Sequence, residues 1–246
     1  MHVIITGAAS GIGRGSALRL GRRMKVVVAD RDADGVRRVA GEIEAAGGQA
    51  LGVEVDVTSR ASVAAMVASA RQAFGPVDAL FANAGVNRRN PAYQIVESDW
   101  DLMMDTHVKG VFLCCQAVLG EMVERGRGAI VNTSSDFAIM GVAGNATYTS
   151  AKTAIYSLTK ALATEFTPRG IRVNAIGPGP IDTPMLASGR SVEQHAAVLQ
   201  KFAAGLPLRR MGQPEDVAVV VDFLLSDRAA YISGQLVHPN GGQLMW

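Results

Sequence analysis

Short apolar runs alternate with longer helical patterns along the whole sequence, and this alternation constrains the fold more than any other feature. The predicted strands cover residues 3–6, 25–30, 50–57, 78–83, 128–134, 171–177 and 235–238. The predicted helices cover residues 11–23, 33–46, 59–74, 98–125, 147–167 and 214–225. Repeated strand–helix–strand units are typical of a parallel sheet with helices on both faces. We therefore predict a single α/β domain over residues 1–246, built on a doubly wound parallel sheet of about seven strands.

Composition and charge exclude several classes of protein. Hydrophobic residues make up 48% of the chain, and the net charge of +2 is too small to indicate a nucleic-acid partner. We expect no membrane partner, because no apolar run approaches the ~18–20 residues of a membrane helix. A strand begins at the N-terminus, which leaves no room for a signal peptide, and Cys114 and Cys115 are expected to be buried free thiols. The lack of a signal peptide and the free thiols both predict a cytoplasmic protein. The four histidines are scattered, so no metal site is expected.

One segment interrupts the alternation of strands and helices. It begins at Pro178-Gly179-Pro180, includes a polar helical stretch over residues 191–206, and reaches Pro207. A long excursion of this kind in a compact domain is usually functional, and we predict a substrate lid over residues 184–210. Ligands of open parallel sheets bind beyond the carboxyl ends of the strands, which is where the residues discussed next fall.

The turn between the first strand and the first helix is rich in glycine. Glycine permits a tight turn and a close approach of the backbone to a pyrophosphate, and the following helix presents free N–H groups. An ordinary strand–helix turn is the alternative, but the order of strand, turn and helix favours a dinucleotide site. The predicted cofactor contacts here are Gly7, Ser10, Gly11, Ile12 and Gly13.

The ends of the next three strands supply further candidate cofactor contacts. Asp30 ends the second strand, where a carboxylate accepts a hydrogen bond from a ribose 2′-hydroxyl and repels a 2′-phosphate. Arg31 argues the other way, because an arginine beside the ribose suits a 2′-phosphate, and a solvated turn acid is the alternative interpretation of Asp30. We predict NAD rather than NADP. The third and fourth strands end near the expected adenine and ribose with Asp56, Val57, Asn83, Ala84 and Gly85.

Two Tyr–Lys pairs have the spacing of an acid–base site. Tyr148 and Lys152 are one helical turn apart, and a nearby ammonium favours the phenolate that a tyrosine base requires. Tyr156 and Lys160 repeat the spacing on a different side of the helix. Ser135 distinguishes the pairs, because it lies at a strand end thirteen residues before Tyr148, whereas Ala143 holds that place for Tyr156. A serine hydroxyl there polarises a substrate carbonyl.

These motifs together resemble the short-chain dehydrogenase/reductase family over nearly the whole chain. Residues 6–13 match the family's TGxxxGIG motif, and Ser135, Tyr148 and Lys152 match its Ser–Tyr–Lys triad. The resemblance implies a Rossmann-type fold, a nicotinamide cofactor, reversible hydride transfer and a homotetramer. It also implies that Tyr148 is the acid/base and that Lys152 holds the nicotinamide ribose. The segment that holds the nicotinamide carboxamide in the family is matched by Pro178, Gly179, Ile181 and Thr183.

The sequence departs from the family pattern at two places. The family's NNAG is here Ala82-Asn83-Ala84-Gly85, which keeps the cofactor-facing Asn83. His107 stands where the family has a catalytic Asn, whose main-chain carbonyl positions a water and whose side chain braces a neighbouring strand. Any residue supplies that carbonyl. The imidazole is therefore predicted to brace the strand, to join the proton path, or to satisfy a nearby backbone group.

The resulting prediction is an NAD-dependent oxidoreductase that acts on a small-molecule secondary alcohol or ketone. An NADPH-dependent carbonyl reductase of the 3-oxoacyl type is one alternative, and a non-catalytic NAD-binding relative is the other. The pocket walls are expected to include Asp136, Phe137, Met140 and Asn145, of which the polar pair indicates a hydroxylated substrate.

Overall fold

The computed structural model describes residues 1–245 and contains a seven-stranded sheet in the order β3-β2-β1-β4-β5-β6-β7. Every neighbouring pair of strands is parallel. The predicted doubly wound α/β architecture is confirmed, and the strand order reverses between β1 and β4, where such sheets bind ligands. The strands are β1 His2–Thr6, β2 Lys25–Asp30, β3 Ala50–Glu54, β4 Ala79–Ala82, β5 Gly128–Thr133, β6 Ile171–Ile176 and β7 Leu236–Val237.

Helices cover both faces of the sheet. One apolar cluster joins the sheet to α3, α5 and α6, and a second joins it to α1, α2 and α9. Strand β2 contributes Val27 and Ala29 to the first cluster and Val26 and Val28 to the second. Both faces of the strand are therefore buried, which explains why its apolar residues are consecutive and do not alternate with polar ones. The helices are α1 Gly11–Leu20, α2 Ala33–Ala45, α3 Arg60–Phe74, α4 Glu97–Met104, α5 Gly110–Arg125, α6 Ala146–Phe166, α7 Pro184–Ala187, α8 Val192–Gly205 and α9 Pro214–Leu225.

Five strands are shorter than the sequence predicts, and two of these, β5 and β6, end only one residue early. Strand β3 ends at Glu54, β4 ends at Ala82, and β7 contains only two residues. Asp56, Val57 and Asn83 therefore lie in loops just past their strands. Because all the strands are parallel, these loops meet at the same edge of the sheet as the glycine-rich turn.

The helix predicted over residues 98–125 is divided by one widened turn. Helix α4 ends at Met104, a π-helical turn spans Asp105–Lys109, and α5 continues from Gly110. A single π turn inside an α-helix is often found at a functional site, and this one carries His107.

Contrary to expectation, the whole run Glu97–Arg125 is long and apolar enough, by length and composition alone, to cross a membrane. Of the apolar 18-residue window in this run, 56% is buried inside the fold, as in the core helix of a globular protein.

The predicted lid segment contains two helices, α7 and α8, after the loop that follows β6. Ser191 and Gln194 form reciprocal side-chain to backbone hydrogen bonds of 3.2 and 2.9 Å that begin α8. None of the fourteen residues of α8 is buried, so this helix lies on the surface of the fold. His195 of α8 bonds to Asp182 at 3.0 Å, which ties the helix to the loop after β6. That this segment acts as a lid stays a prediction.

Candidate active site

The glycine-rich turn after β1 has a shape that only glycine allows at two positions. Gly7 has a φ of +66°, a region that side chains rarely adopt. A Cβ on Gly13 would lie 2.0 Å from the carbonyl oxygen of Gly7, so the first turn of α1 packs directly on the loop. Ser10 is exposed at the beginning of α1, and its side chain caps no N–H group of that helix. The turn thus presents an uncovered helix N-terminus, which fits a pyrophosphate.

The carboxylate of Asp30 is held against this turn. Its oxygens accept hydrogen bonds from the N–H groups of Ala9 at 3.1 Å and Asp32 at 3.2 Å. Arg31 is exposed. The acidic group therefore has a fixed position beside the glycine-rich turn, and the basic group next to it in the sequence points away from the core.

Two other arginines near the turn are already engaged. Arg14 donates two hydrogen bonds to Glu42, at 3.0 and 2.6 Å. Arg38 donates to the carbonyl oxygen of Ala9 at 2.9 Å and lies 3.9 Å from Glu42. Glu42 thus offsets much of the positive charge that a 2′-phosphate would require.

Asn83 ties three strand ends together. Its amide donates to the carbonyl oxygens of Thr6 and Gly7, both at 3.2 Å, and its oxygen accepts from the Thr133 hydroxyl at 3.2 Å. Both amide hydrogens are used, so its side chain can offer a ligand only an oxygen lone pair. Asn83 therefore shapes the edge where the sequence predicted a direct contact to the cofactor.

The other predicted contacts on this side lie around the same edge. Ala84 packs on Gly7, where an added Cβ would come within 2.8 Å of the Ala84 Cα. Val57 is buried against Gly110, at the beginning of α5. The exposed Asp56 carboxylate accepts hydrogen bonds from the backbone and the hydroxyl of Thr58.

The loop after β6 approaches the glycine-rich turn from the other side. A Cβ on Gly11 would lie 3.3 Å from the Thr183 methyl group, so the two segments are in contact range. Ile181 is buried and pairs with Gly212, which fixes the loop. Gly179 packs on the backbone of Asn240, where an added Cβ would lie 2.8 Å from the Asn240 Cα. The residues predicted to hold the nicotinamide therefore lie beside those predicted to hold the pyrophosphate.

Ser135, Tyr148 and Lys152 come together at the ends of β5 and α6. Lys152 is 3% exposed, and its ammonium donates to the carbonyl oxygen of Thr133 at 2.8 Å. The Nζ atom lies 5.4 Å from the centre of the Tyr148 ring, and the Ser135 hydroxyl lies near enough to the phenol to lower its pKa. The three groups that the sequence predicts for the acid–base site thus form one cluster.

Burial controls the charges in this cluster. It raises the pKa of Tyr148 to about 12, a rise that the Ser135 hydroxyl opposes, and it lowers the pKa of Lys152 to about 7. The phenol is therefore neutral and able to donate a proton at neutral pH. The lysine is close to half protonated at the same pH.

The second Tyr–Lys pair lies outside this cluster. The Lys160 ammonium is exposed and lies 4.4 Å from the centre of the Tyr156 ring, which is a surface cation–π contact. Ala143 stands thirteen residues before Tyr156, so no serine holds the place that Ser135 holds for Tyr148.

His107 is fully buried in the π turn and contacts two parts of the site. Its Nε2 atom lies 2.7 Å from the carbonyl oxygen and 3.2 Å from the nitrogen of Val86, just beyond β4. Its ring meets the Tyr148 ring edge-on at 5.5 Å. A Cβ on Gly85 would lie 2.5 Å from Cε1, so glycine makes room for the imidazole. The side chain thus braces the segment after β4.

The imidazole of His107 is neutral at physiological pH. Burial and, to a smaller extent, the Lys152 charge lower its pKa to about 3, and the hydrogen bond to Val86 opposes this shift. The structure favours bracing over the proton-path role that the sequence left open.

Asp136 does not line a pocket wall, contrary to the sequence-based expectation. It is 0% exposed and bonds to His238 beyond β7. Asn145 is also buried, at the N-terminus of α6, whereas Phe137 packs edge-on against Tyr148 at 6.1 Å. Among residues 1–245, no three His, Cys, Asp or Glu side chains are grouped as a metal site.

Comparisons with known proteins agree with this geometry. The profile of a family described as enoyl-(acyl carrier protein) reductase matches residues 7–243. The (2S)-[(R)-hydroxy(phenyl)methyl]succinyl-CoA dehydrogenase subunit of Thauera aromatica is 38% identical, covering 99% of this chain and 96% of that protein. A 3-oxoacyl-[acyl-carrier-protein] reductase of Staphylococcus epidermidis is 37% identical, covering 98% of both chains.

A solved structure of a short-chain type dehydrogenase/reductase from Mycobacterium marinum superimposes with a TM-score of 0.90 and 33% identity. The match covers 98% of this chain and 94% of that one. The chain belongs to the short-chain dehydrogenase/reductase family. It is therefore an oxidoreductase that uses a nicotinamide cofactor and acts on CH–OH groups or the corresponding carbonyls.

Proposed function

We propose that this short-chain dehydrogenase/reductase transfers a hydride between NAD and a secondary alcohol or ketone, with Tyr148 as acid/base. The observation that carries the proposal is the cluster in which the Tyr148 phenol contacts the Ser135 hydroxyl beside the buried Lys152 ammonium. An intact triad also argues against the non-catalytic alternative.

The cofactor fits the residues present. Gly7, Gly11 and Gly13 leave a cradle that side chains would fill, and the loop from Pro178 to Thr183 faces it. The bound nicotinamide supplies the hydride acceptor or donor. Asp30 would hold the adenosine ribose, and Lys152 the nicotinamide ribose.

The protein side of the reaction is a proton transfer at one oxygen. In reduction the neutral Tyr148 phenol gives its proton to the substrate oxygen while Ser135 donates a hydrogen bond to the same oxygen. In oxidation the phenol must lose its proton first. A Lys152 ammonium favours that loss, and each pKa unit of lowering corresponds to about 1.4 kcal/mol.

The preference for NAD is proposed from charge. The Asp30 carboxylate is fixed beside the glycine-rich turn, and Glu42 engages Arg14 and contacts Arg38. A 2′-phosphate would therefore meet a negative group, with the exposed Arg31 in compensation and with Arg14 and Arg38 already beside Glu42.

The test assays a panel of secondary alcohols, polyols, hydroxy acids and 3-hydroxyacyl thioesters with each cofactor. The formation of NADH or NADPH is followed by its absorbance. We expect higher kcat/KM with NAD, and Asp30→Ala should reduce the NAD/NADP ratio of kcat/KM at least about tenfold, or ~1.4 kcal/mol. Asp34→Ala, which removes an exposed acid four residues further along the chain, is the matched control and should leave the ratio unchanged. A wild type that prefers NADP, or an unchanged ratio in Asp30→Ala, contradicts the charge argument.

An NADPH-dependent 3-oxoacyl reductase is the second candidate. The match to the Staphylococcus epidermidis reductase favours it, since that protein is named for a 3-oxoacyl substrate. Turnover confined to acyl thioesters with NADPH would support this candidate over the first.

We further propose a cytoplasmic homotetramer with a lid over residues 184–210. Large apolar side chains are exposed at the beginning of the α4–α5 run and before it, including Tyr93 at 85%, Val96 at 56% and Trp100 at 42%. Such a patch suits burial between subunits. Analytical ultracentrifugation measures the assembly directly, and a monomer would contradict this part of the proposal.

A further inference from the structure

Asp136 is an acid buried directly behind the proposed catalytic serine. It follows Ser135 in the sequence, is 0% exposed, and its Oδ1 lies 2.5 Å from Nδ1 of His238. Burial raises the pKa of the Asp136 carboxyl, and His238, through its hydrogen bond and charge, and the nearby Asn240 oppose that rise. A buried carboxyl is costly unless it is paired, so the arrangement needs a purpose beyond filling space.

The Asp136–His238 pair joins the turn that follows Ser135 to the ends of two other strands. His238 follows β7, and a Cβ on Gly177 at the end of β6 would lie 2.6 Å from its Nδ1, so the ring packs on the backbone there. The N–H group of Asp136 donates to the carbonyl oxygen of Pro178 at 3.3 Å. One residue therefore connects β5 with the segments that follow β6 and β7.

The turn that Asp136 anchors also sets the direction of the Ser135 hydroxyl. The Ser135 Oγ accepts a hydrogen bond from the N–H group of Phe137 at 3.2 Å, within the single helical turn Asp136–Ala138. The Phe137 ring in turn packs against Tyr148. A turn of three residues has little rigidity of its own, so its orientation depends on the anchor.

We propose that Asp136 and His238 are positioning residues that hold Ser135 in its catalytic orientation by fixing the turn after β5 to the end of β7. This inference rests on the proposed role of Ser135. It assigns neither Asp136 nor His238 a contact with substrate or cofactor.

The first test compares kcat per NADH-binding site, with the binding sites counted by fluorescence titration so that unfolded protein is excluded. Asp136→Leu and His238→Leu should lower this value at least tenfold, with the substrate KM and the NADH Kd within threefold of wild type. Asp136→Asn keeps an oxygen that accepts from His238, so it should stay within threefold of wild type.

Asn174→Leu is the matched control. Asn174 is also buried and bonds to the backbone of Ile232 and Gln235, so it links the middle of β6 to the chain just before β7. Its loss should lower stability without changing kcat per NADH-binding site. Equal kcat values per site in Asp136→Leu and Asn174→Leu would overturn the proposal.

The second test needs no substrate, so it separates this inference from the proposed function. Amide hydrogen exchange by NMR reports the bond from the Phe137 N–H group to Ser135. Asp136→Leu should accelerate exchange at Phe137 at least tenfold and leave Val131 in β5 unchanged, whereas Asn174→Leu should leave Phe137 protected. Unchanged protection of Phe137 in Asp136→Leu would refute the positioning role even if no substrate is found.

Discussion

His107→Asn provides the sharpest test of how the site works, because it restores the residue of the family pattern. The imidazole presents one nitrogen, Nε2, to both the carbonyl and the N–H group of Val86, at 2.7 and 3.2 Å. One nitrogen can satisfy only one of them at a time. An Asn side chain carries both a donor and an acceptor, so it is able to pair with both.

The expected free-energy change is small because two effects oppose each other. Satisfying a second buried backbone group gains about 1 kcal/mol. The smaller Asn leaves roughly 40 Å³ of empty space, which costs about 1 kcal/mol at ~24 cal/mol per Å³. We therefore expect urea unfolding to give a stability within about 1 kcal/mol of wild type. The kcat/KM should stay within about tenfold, or ~1.4 kcal/mol of barrier.

His107→Ala and His107→Phe separate bracing from packing. Alanine leaves the Val86 carbonyl unpaired and opens a cavity, which together cost about 3 kcal/mol of stability and more activity than His107→Asn. Phenylalanine retains the ring against Tyr148 but loses the bond to Val86, so most of the cost should remain.

The pH dependence of kcat/KM supplies the decisive comparison. With the pKa of His107 at about 3, the ring stays neutral from pH 5 to 9, and the wild-type and His107→Asn profiles should coincide in shape. A thousandfold loss in His107→Asn with the fold and NADH affinity intact, or the loss of one limb of the profile, would show that the imidazole transfers protons itself. The bracing account would then be wrong.

Two further predictions follow from the Tyr148 cluster. Tyr148→Phe should abolish turnover while NADH still binds in a fluorescence titration, and Tyr156→Phe should remain active; the reverse result would move the acid/base to the second pair. Burial holds the pKa of Lys152 at about 7, below its ordinary 10.5, so the unfolded chain binds more protons between these values and stability rises with pH in that window. Urea unfolding of the apoprotein should therefore show about 2 kcal/mol more stability at pH 9 than at pH 7 from this group, and Lys152→Met should remove that rise. An equal rise in Lys152→Met would assign it to other groups.

Features of the fold that repeat along the chain could be predicted from the sequence. The apolar runs of β1, β2, β4, β5 and β6 are buried on both faces, so the pattern of a parallel sheet is visible without knowing any contact. The positions of Ser135 and Tyr148 followed from a strand end and a helical spacing, which are local properties.

The π turn at Asp105–Lys109 was not predictable from periodicity. A single extra residue in one turn shifts the spacing of the apolar residues very little, so the sequence pattern looks like that of a continuous helix. For the same reason the sequence could place His107 at the site but could not decide between its possible roles. The contact that decides, with Val86, depends on how the segment after β4 lies against that turn.

Asp136 shows the limit most clearly. A polar residue just after a strand end is usually exposed to the ligand edge, and the sequence analysis placed it there. Its partner lies 102 residues away, and no local pattern connects an acid after β5 with a histidine after β7. The sheet order brings these ends together, because β6 lies between β5 and β7 and is followed by Gly177, which lets the imidazole reach past the backbone there. Both His107 and Asp136 therefore act on the site through backbone that they hold, and their roles become visible only once the strand order is known.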